Sequence, residues 1–142
     1  MASPISYDDV EVGTELPGQT LPIRRGDLVR YAGASGDFNV IHWNERSARS
    51  VGLSGVIAHG MFTMALAARA VTDWAGDPGA VTEYGVRFTR PVPVPDDDTG
   101  TVVEVAATVA AKLDDRRVRV DLTVTHDGQK VLAKAQAVVQ LA

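Results

Sequence analysis

The 142-residue chain is long enough for one domain with its own core, and it has no cysteine, which excludes disulfides, zinc–thiolate sites and a thiol nucleophile. Fourteen basic and eighteen acidic residues give a formal charge of −4 without a basic stripe, so nucleic acid is not an expected partner. No run approaches the roughly 18 apolar residues that span a bilayer, and residues 1–12 lack the pattern of a signal peptide. These features predict a soluble, cytoplasmic, single-domain protein with no membrane partner.

The first half of the chain is punctuated by glycine and predicts three helices. A short amphipathic helix is expected around residues 28–32, before a bend of small residues from Gly33 to Gly36. A second short helix is expected from Glu45 to Val51, where Gly52 ends it.

The third predicted helix is longer and runs from Met61 to Trp74, with Gly76 to end it. Alanine makes this helix thin, while methionine, phenylalanine, leucine and valine make it apolar on most of its sides. A helix of that kind must be covered on most sides. Met61 and Met64 are therefore expected in the core.

The second half alternates apolar and polar side chains with the period of two that indicates half-buried strands. Strands are predicted over residues 81–89, 103–109, 117–125 and 131–141, and the proline-rich segment 91–95 is predicted to be an extended loop. Asp127-Gly128 favours a tight hairpin turn before the last strand, because both central positions need positive φ. The expected fold is α+β, an antiparallel β-sheet wrapped around a central α-helix.

The first candidate site is an irregular loop that ends at His42. Asp37, Asn39 and His42 place a carboxylate, an amide and an imidazole at positions i, i+2 and i+5. An acid and an imidazole that converge on a hydroxyl or a water form the pair that general acid–base catalysis requires. The residues alone also permit a simpler interpretation, in which Asp37 caps the next turn and His42 is a packed, hydrogen-bonded histidine.

The second candidate site is Ile57-Ala58-His59-Gly60-Met61, at the start of the long helix. The first turn of a helix has unpaired N–H groups and the positive end of the helix dipole. A thioester carbonyl beside Gly60 would gain a hydrogen-bond donor as negative charge develops on its oxygen. Alternatively, His59 simply caps the helix and Gly60 is a packing glycine. His59 is interpreted as a structural residue.

The remaining histidine and the possibility of a metal site lead to two simpler expectations. His126 adjoins the predicted hairpin turn and is expected to be solvated. Asp37, His42 and His59 match no familiar spacing of metal ligands, so no metal is expected.

Together these segments resemble the MaoC-like, R-specific enoyl-thioester hydratases. The segment from Tyr31 to His42 is similar to the Gly-Asp-x-Asn-x-x-His motif of that family, and the segment from Ile57 to Met61 is similar to the start of its central helix. The stretch from Gly76 to Thr89, with Pro91 to Pro95, is particularly similar to the B subunit of actinobacterial (3R)-hydroxyacyl-ACP dehydratases. The resemblance covers nearly the whole chain and implies one hotdog domain over residues 1–142.

The resemblance also implies a role for each residue of the motif. His42 would act as the base at C2 during dehydration, and Asp37 would assist departure of the hydroxyl as water. In the hydration direction the same pair would activate a water, and the division of protons between the two stays open. Asn39 would hold the loop, and the Gly60 amide would polarise the thioester carbonyl. Val40 stands where the family usually has proline, so a looser loop and a modest effect on activity are expected.

The expected partners are a substrate and a second hotdog subunit. The resemblance implies an acyl-CoA or acyl-ACP substrate, whose phosphates Arg87 and Arg90 could meet, and no cofactor. Because a second copy completes the open sheet edge and the cleft of such domains, a homodimer or a heterodimer is expected. The alternatives are an acyl-thioester hydrolase on the same fold, a non-catalytic or partner-dependent subunit, and a lipid-binding module. A long helix without a carboxylate near its start argues against the first, and the Asp37/His42 pair argues against the others.

Overall fold

The computed structural model describes residues 5–142. Within them lie the helices α1 (Arg25–Ser35), α2 (Glu45–Ser50) and α3 (Gly60–Ala75), and the strands β1 (Gln19–Ile23), β2 (Val81–Phe88), β3 (Thr101–Lys112), β4 (Arg117–His126), β5 (Gln129–Lys130) and β6 (Leu132–Gln140). Short 3-10 turns occupy Tyr7–Asp9, Val40–His42 and Pro78–Ala80. None of the helices in this described part is both long and apolar enough to cross a membrane.

One antiparallel sheet carries all the strands, in the order β1–β3–β4–β6–β2, with β5 paired to β4. Its buried face is built from alternate side chains, as the period of two predicts. Val105 lies opposite Val124, and Ala107 lies opposite Leu122, so small and branched side chains form continuous rows across the strands. The predicted α+β fold, with an antiparallel sheet around a helix, is confirmed.

Helix α3 packs on this face through side chains that are mostly small, and the helix approaches the sheet closely for that reason. Its buried positions are Thr63, Ala67, Ala70, Val71 and Ala75. The opposite face is not covered by the sheet and includes the exposed residues Met61, Ala65, Arg69 and Asp73. The expectation that Met61 lies in the core is therefore wrong, since its side chain is 57% exposed.

The N-terminal half differs most from the sequence-based expectations. Strand β1 is not predicted, because it is short and contains Pro22, a residue tolerated only at a sheet edge such as the one β1 forms. The expected bend of small residues from Gly33 is also wrong. Gly33 to Ser35 continue α1, and the chain turns only at Gly36, where φ is 78° and the N–H donates to the carbonyl of Ala32.

The segments that lead into α3 are fixed by the predicted extended loop. The N–H of Ala58 donates to the carbonyl of Val92 (2.9 Å), and the N–H of Val94 donates to the carbonyl of Val56 (3.0 Å). Residues 91–95 therefore run antiparallel to residues 56–58. This pairing holds the start of α3 against the end of β2, where the candidate site lies.

Candidate active site

The loop after α1 is shaped by its own polar side chains. Asp37 Oδ1 accepts a hydrogen bond from the N–H of Asn39 (3.1 Å), and Asn39 Oδ1 accepts one from the N–H of Ile41 (3.2 Å). The second of these bonds caps the 3-10 turn that contains His42. Such side-chain-to-backbone bonds replace the regular ones that an irregular loop lacks. They also constrain the loop although Val40 stands in place of a proline.

The hydrogen bond of His42 selects the tautomer of its neutral ring. The ring is buried, with 8% of its surface exposed, and its Nδ1 lies 2.8 Å from the carbonyl oxygen of Ile57. A carbonyl can only accept, so Nδ1 carries the hydrogen of the neutral ring and Nε2 keeps a free lone pair. That Nε2 faces Asp37 Oδ2 across 3.9 Å.

The two carboxylate oxygens of Asp37 make different contacts. Oδ1 holds the loop, while Oδ2 is free of the loop bonds and lies near Nε2 of His42. The gap between them is too long for a direct hydrogen bond, but one oxygen could lie roughly 2.8 Å from both atoms. The side chain of Asp37 is half exposed, so a ligand can reach this position. The pair can therefore share a hydroxyl or a water.

His59 lies against this pair although it is 17 residues from His42 in the chain. Its ring is 1% exposed and stacks on that of His42, with centroids 3.9 Å apart and planes 23° apart. Its Nε2 lies 3.1 Å from the carbonyl oxygen of Asp37. The ring of Tyr31 packs edge-on against the ring of His59, and the two ring centroids are 4.7 Å apart. Burial lowers the pKa of His59 more than the Asp37 carbonyl raises it, which favours the neutral ring.

The structure brings together the three residues weighed above as metal ligands. Single nitrogen or oxygen atoms of Asp37, His42 and His59 all lie within 4.8 Å of one another. The lone pair of an imidazole nitrogen lies in the plane of its ring, however, and the two rings are stacked nearly parallel. Lone pairs in stacked planes do not converge on one ion. This arrangement suits a stacked neutral pair better than ligation of a metal by both histidines.

A cleft of about 390 Å³ opens beside His42 and is mainly apolar. Gly60 lies in its wall, at the first position of α3, and a Cβ added there would come 3.0 Å from the ring of Phe88. Arg90 borders the cleft, whereas Asp37, Asn39 and Arg87 are not among the lining residues. Those are Ile41, His42, Ile57, Ala58, Gly60, Thr63, Phe88, Thr89, Arg90, Pro91, Val92, Val131 and Leu132.

The expectation that His126 is solvated is wrong. Its side chain is only 14% exposed, and its Nε2 lies 2.7 Å from Thr101 Oγ1. The start of β3 pairs with the end of β4, so the hairpin residue is covered by a neighbouring strand that local sequence does not reveal. His126 is not among the residues that line the cleft.

Comparison with known proteins assigns the family. The family described as the MaoC like domain matches residues 9–128. The chain belongs to the MaoC-like family. A 3-hydroxybutyryl-CoA dehydratase of Methylorubrum extorquens is 33% identical over 138 residues, which cover 95% of this MaoC-like chain and 83% of that protein. The 3-hydroxyacyl-thioester dehydratase X of Mycobacterium tuberculosis is 43% identical over 79 residues, 56% of this chain and 27% of that protein.

Solved structures agree with this assignment. A MaoC-like dehydratase superposes with a TM-score of 0.93 at 42% identity, covering 98% of this chain and 43% of the other. The R-hydratase PhaJ1 from Pseudomonas aeruginosa superposes with a TM-score of 0.83 at 31% identity, covering 97% of this chain and 86% of the other. The MaoC-like chain thus spans less than half the length of some relatives and most of the length of others.

Proposed function

We propose that this MaoC-like protein is a (3R)-hydroxyacyl-thioester dehydratase, which in the reverse direction hydrates a trans-2-enoyl thioester, with acyl-CoA or acyl-ACP as substrate. The observation that carries the proposal is the free lone pair of His42 Nε2, which faces the carboxylate of Asp37 beside an apolar cleft. The printed names of the relatives, dehydratases and an R-hydratase, support the same reaction.

In the dehydration direction, the C2–H bond of the substrate breaks and the proton passes to His42 Nε2. The C3–O bond breaks, and the hydroxyl leaves as water with a proton supplied by the Asp37/His42 pair. The double bond forms between C2 and C3, so atoms and charge balance. A hydroxyl oxygen between Nε2 and Oδ2 would be within hydrogen-bond reach of both, as general acid–base catalysis requires. A positioned group of this kind typically contributes about 10²–10⁴-fold.

The thioester carbonyl would lie at the start of α3. Removal of the C2 proton moves negative charge onto the carbonyl oxygen, and the N–H of Gly60 is one of the first-turn donors that have no partner inside the helix. The dipole of this 16-residue helix adds positive potential at the same end. Asn39 would assist by holding the loop, and Arg90 at the cleft could meet a phosphate of the pantetheine or CoA tail.

A second hotdog domain would complete the molecule. Residues 1–142 would form one such domain, with β2 as an open edge of the sheet. Phe88 at the end of this strand is 53% exposed, and Met61 at the start of α3 is 57% exposed, so apolar surface lies uncovered next to the cleft. Another copy or a related subunit at this edge would bury that surface.

The first test is the turnover of trans-2-enoyl-CoA thioesters of short and long chain, followed as loss of absorbance of the conjugated double bond. We expect Asp37→Asn and His42→Ala each to lower kcat/KM by at least about 100-fold, because each removes one member of the proton-transfer pair. Circular dichroism and thermal melting would check that the variants stay folded. His126→Ala is the matched control, since the ring of that histidine is bonded to Thr101 at the start of β3.

The outcomes separate the alternatives. Near-normal turnover by a folded Asp37→Asn or His42→Ala variant would contradict the assignment of the pair. Release of free thiol from an acyl-CoA would indicate a hydrolase. No turnover by folded wild-type protein, which is then restored by an acyl-ACP substrate or by a second hotdog subunit, would indicate a carrier-protein substrate or a partner-dependent subunit.

A further inference from the structure

We propose that His59 is a positioning residue that holds Asp37 and His42 in their relative orientation, through one hydrogen bond to the backbone of the first and ring stacking on the second. The inference extends the proposed function, on which its catalytic part rests. It replaces the interpretation of His59 as a residue that only packs or caps the helix.

The hydrogen bond acts on Asp37. His59 Nε2 lies 3.1 Å from the carbonyl oxygen of Asp37, so in the neutral ring Nε2 carries the hydrogen and donates it. The loop bonds of Asp37 and Asn39 are all local, within a few residues. The bond from His59 spans 22 residues and ties the loop to the start of α3. The other end of the loop is held to the same segment by the N–H of Ile57, which donates to the carbonyl of Ile41 (3.2 Å), and by the bond from His42 to Ile57. The bond from His59 adds a non-local attachment at Asp37 itself.

The stacking acts on His42. The hydrogen bond from His42 Nδ1 to Ile57 fixes one point of the ring but permits the ring to tilt about that bond. The face of His59, 3.9 Å away, limits the tilt. Tyr31 packs edge-on against His59 and helps to hold the ring of His59 in place. The direction of the His42 Nε2 lone pair is thus determined by two contacts.

Packing alone does not explain a histidine at this position. The ring is 1% exposed, and its Nδ1 is buried with no hydrogen-bond partner among residues 5–142. A buried polar atom without a partner costs folding free energy, and phenylalanine would fill similar space without that cost. What phenylalanine cannot supply is the N–H donated to Asp37. The position thus carries a polar group that serves the loop rather than the core.

Two variants separate the two contacts. His59→Phe keeps a ring to stack on His42 and loses the donor, whereas His59→Gln keeps an N–H that can reach the Asp37 carbonyl and loses the ring. For His59→Phe we expect an unchanged or higher melting temperature together with a kcat lowered about 10–100-fold and a KM within a few-fold of wild type. His126→Phe is the matched control and should leave kcat unchanged.

Amide hydrogen exchange tests the same contact without any substrate. The N–H groups of Asn39 and Ile41 are bonded within the loop. We expect them to exchange at least about 10-fold faster in His59→Phe and near the wild-type rate in His59→Gln. This readout does not depend on turnover. A wild-type protein that is inactive on every thioester would count against the proposed function, but hydrogen exchange would still show whether His59 holds the loop in place.

A double-mutant cycle distinguishes positioning from general stability. If His59 acts through Asp37, His59→Phe should cause little further loss of kcat in the Asp37→Asn background. Full additivity of the two losses, a kcat loss that only follows the loss of folded protein, or unchanged exchange in the loop would each overturn the inference.

Discussion

Gly60 is the residue where one added methyl group tests the proposed thioester donor. A Cβ at this position would lie 3.0 Å from the ring of Phe88, a tight contact that a shift of this ring by a few tenths of an ångström would relieve. Alanine is also a better helix former than glycine. We therefore expect Gly60→Ala to fold with undiminished stability, but with kcat/KM lowered about 10-fold or more, because the methyl group occupies the approach to the amide.

Gly26→Ala is the matched control for this substitution. Gly26 also lies in the first turn of a helix, and a Cβ there would meet nothing within 4 Å. Thermal melts and steady-state kinetics of both variants are the measurements. Undiminished kcat/KM in Gly60→Ala, with the same gain in stability as the control, would mean that the cleft glycine only packs and donates no hydrogen bond to substrate.

The sequence predicts which residues meet at the site but not how they meet. The spacing of Asp37 and His42 predicts a pair, and the structure indeed has them 3.9 Å apart. The free lone pair of His42 depends on a carbonyl of Ile57, and the stack with His59 depends on how a loop and a helix dock. Such long-range contacts leave no local pattern.

At the scale of elements, the sequence predicts best those that have strong periodicity. Strands β3 and β4 and helix α3 follow from alternation or from a long apolar run, and their positions agree with the structure to within a few residues. Strand β1 is defined by its pairing with β3 rather than by its own residues. The predicted last strand, residues 131–141, agrees with β6 to within one residue at each end, whereas the two-residue strand β5 before it is not predicted.

Tyr84 connects two elements that frame the site, and it supports a prediction about pH. The residue lies on β2, and its hydroxyl donates to the carbonyl of Met64 in α3 (2.7 Å). Burial raises the pKa of Tyr84 to about 12. The unfolded chain, with a tyrosine pKa of about 10, loses this proton first, so the native state binds more protons between these values. The free energy of unfolding should therefore fall as pH rises from about 10 to 12.

The variant Tyr84→Phe should remove this part of the pH dependence. We expect it to lower the free energy of unfolding by about 0.5–1.5 kcal/mol at neutral pH, because the Met64 carbonyl loses a hydrogen bond. The difference between wild type and variant should then shrink above pH 10. Urea denaturation at a series of pH values measures both quantities, and a difference that stays constant up to pH 12 would contradict the assignment.

At the scale of the whole molecule, the two ends of the described chain are joined beside the sheet. The N–H of Tyr7 donates to the carbonyl of Ala142 (2.8 Å), and the N–H of Ala142 donates to that of Ile5 (3.0 Å). Lys112 at the end of β3 reaches over this junction. Its Nζ donates to the carbonyls of Tyr7 (2.8 Å) and Val10 (2.7 Å) and lies 4.0 Å from the centroid of the Tyr7 ring.

Lys112→Met should therefore loosen the N-terminal segment while leaving the active site unchanged. Methionine keeps most of the apolar stem but leaves two carbonyls without their charged donor, which should cost about 1.5–3 kcal/mol and lower the melting temperature by roughly 5–10 °C. Limited proteolysis should cut first near residues 5–10, and kcat at temperatures well below melting should match wild type. Lys130→Met, at an exposed position of β5, is the control. If both lysine variants have the melting temperature of wild type, the contacts of Lys112 do not stabilise the junction. The backbone bonds between the two ends, with the bond from Arg116 to the carbonyl of Ala142 (2.6 Å), would then be enough to hold it.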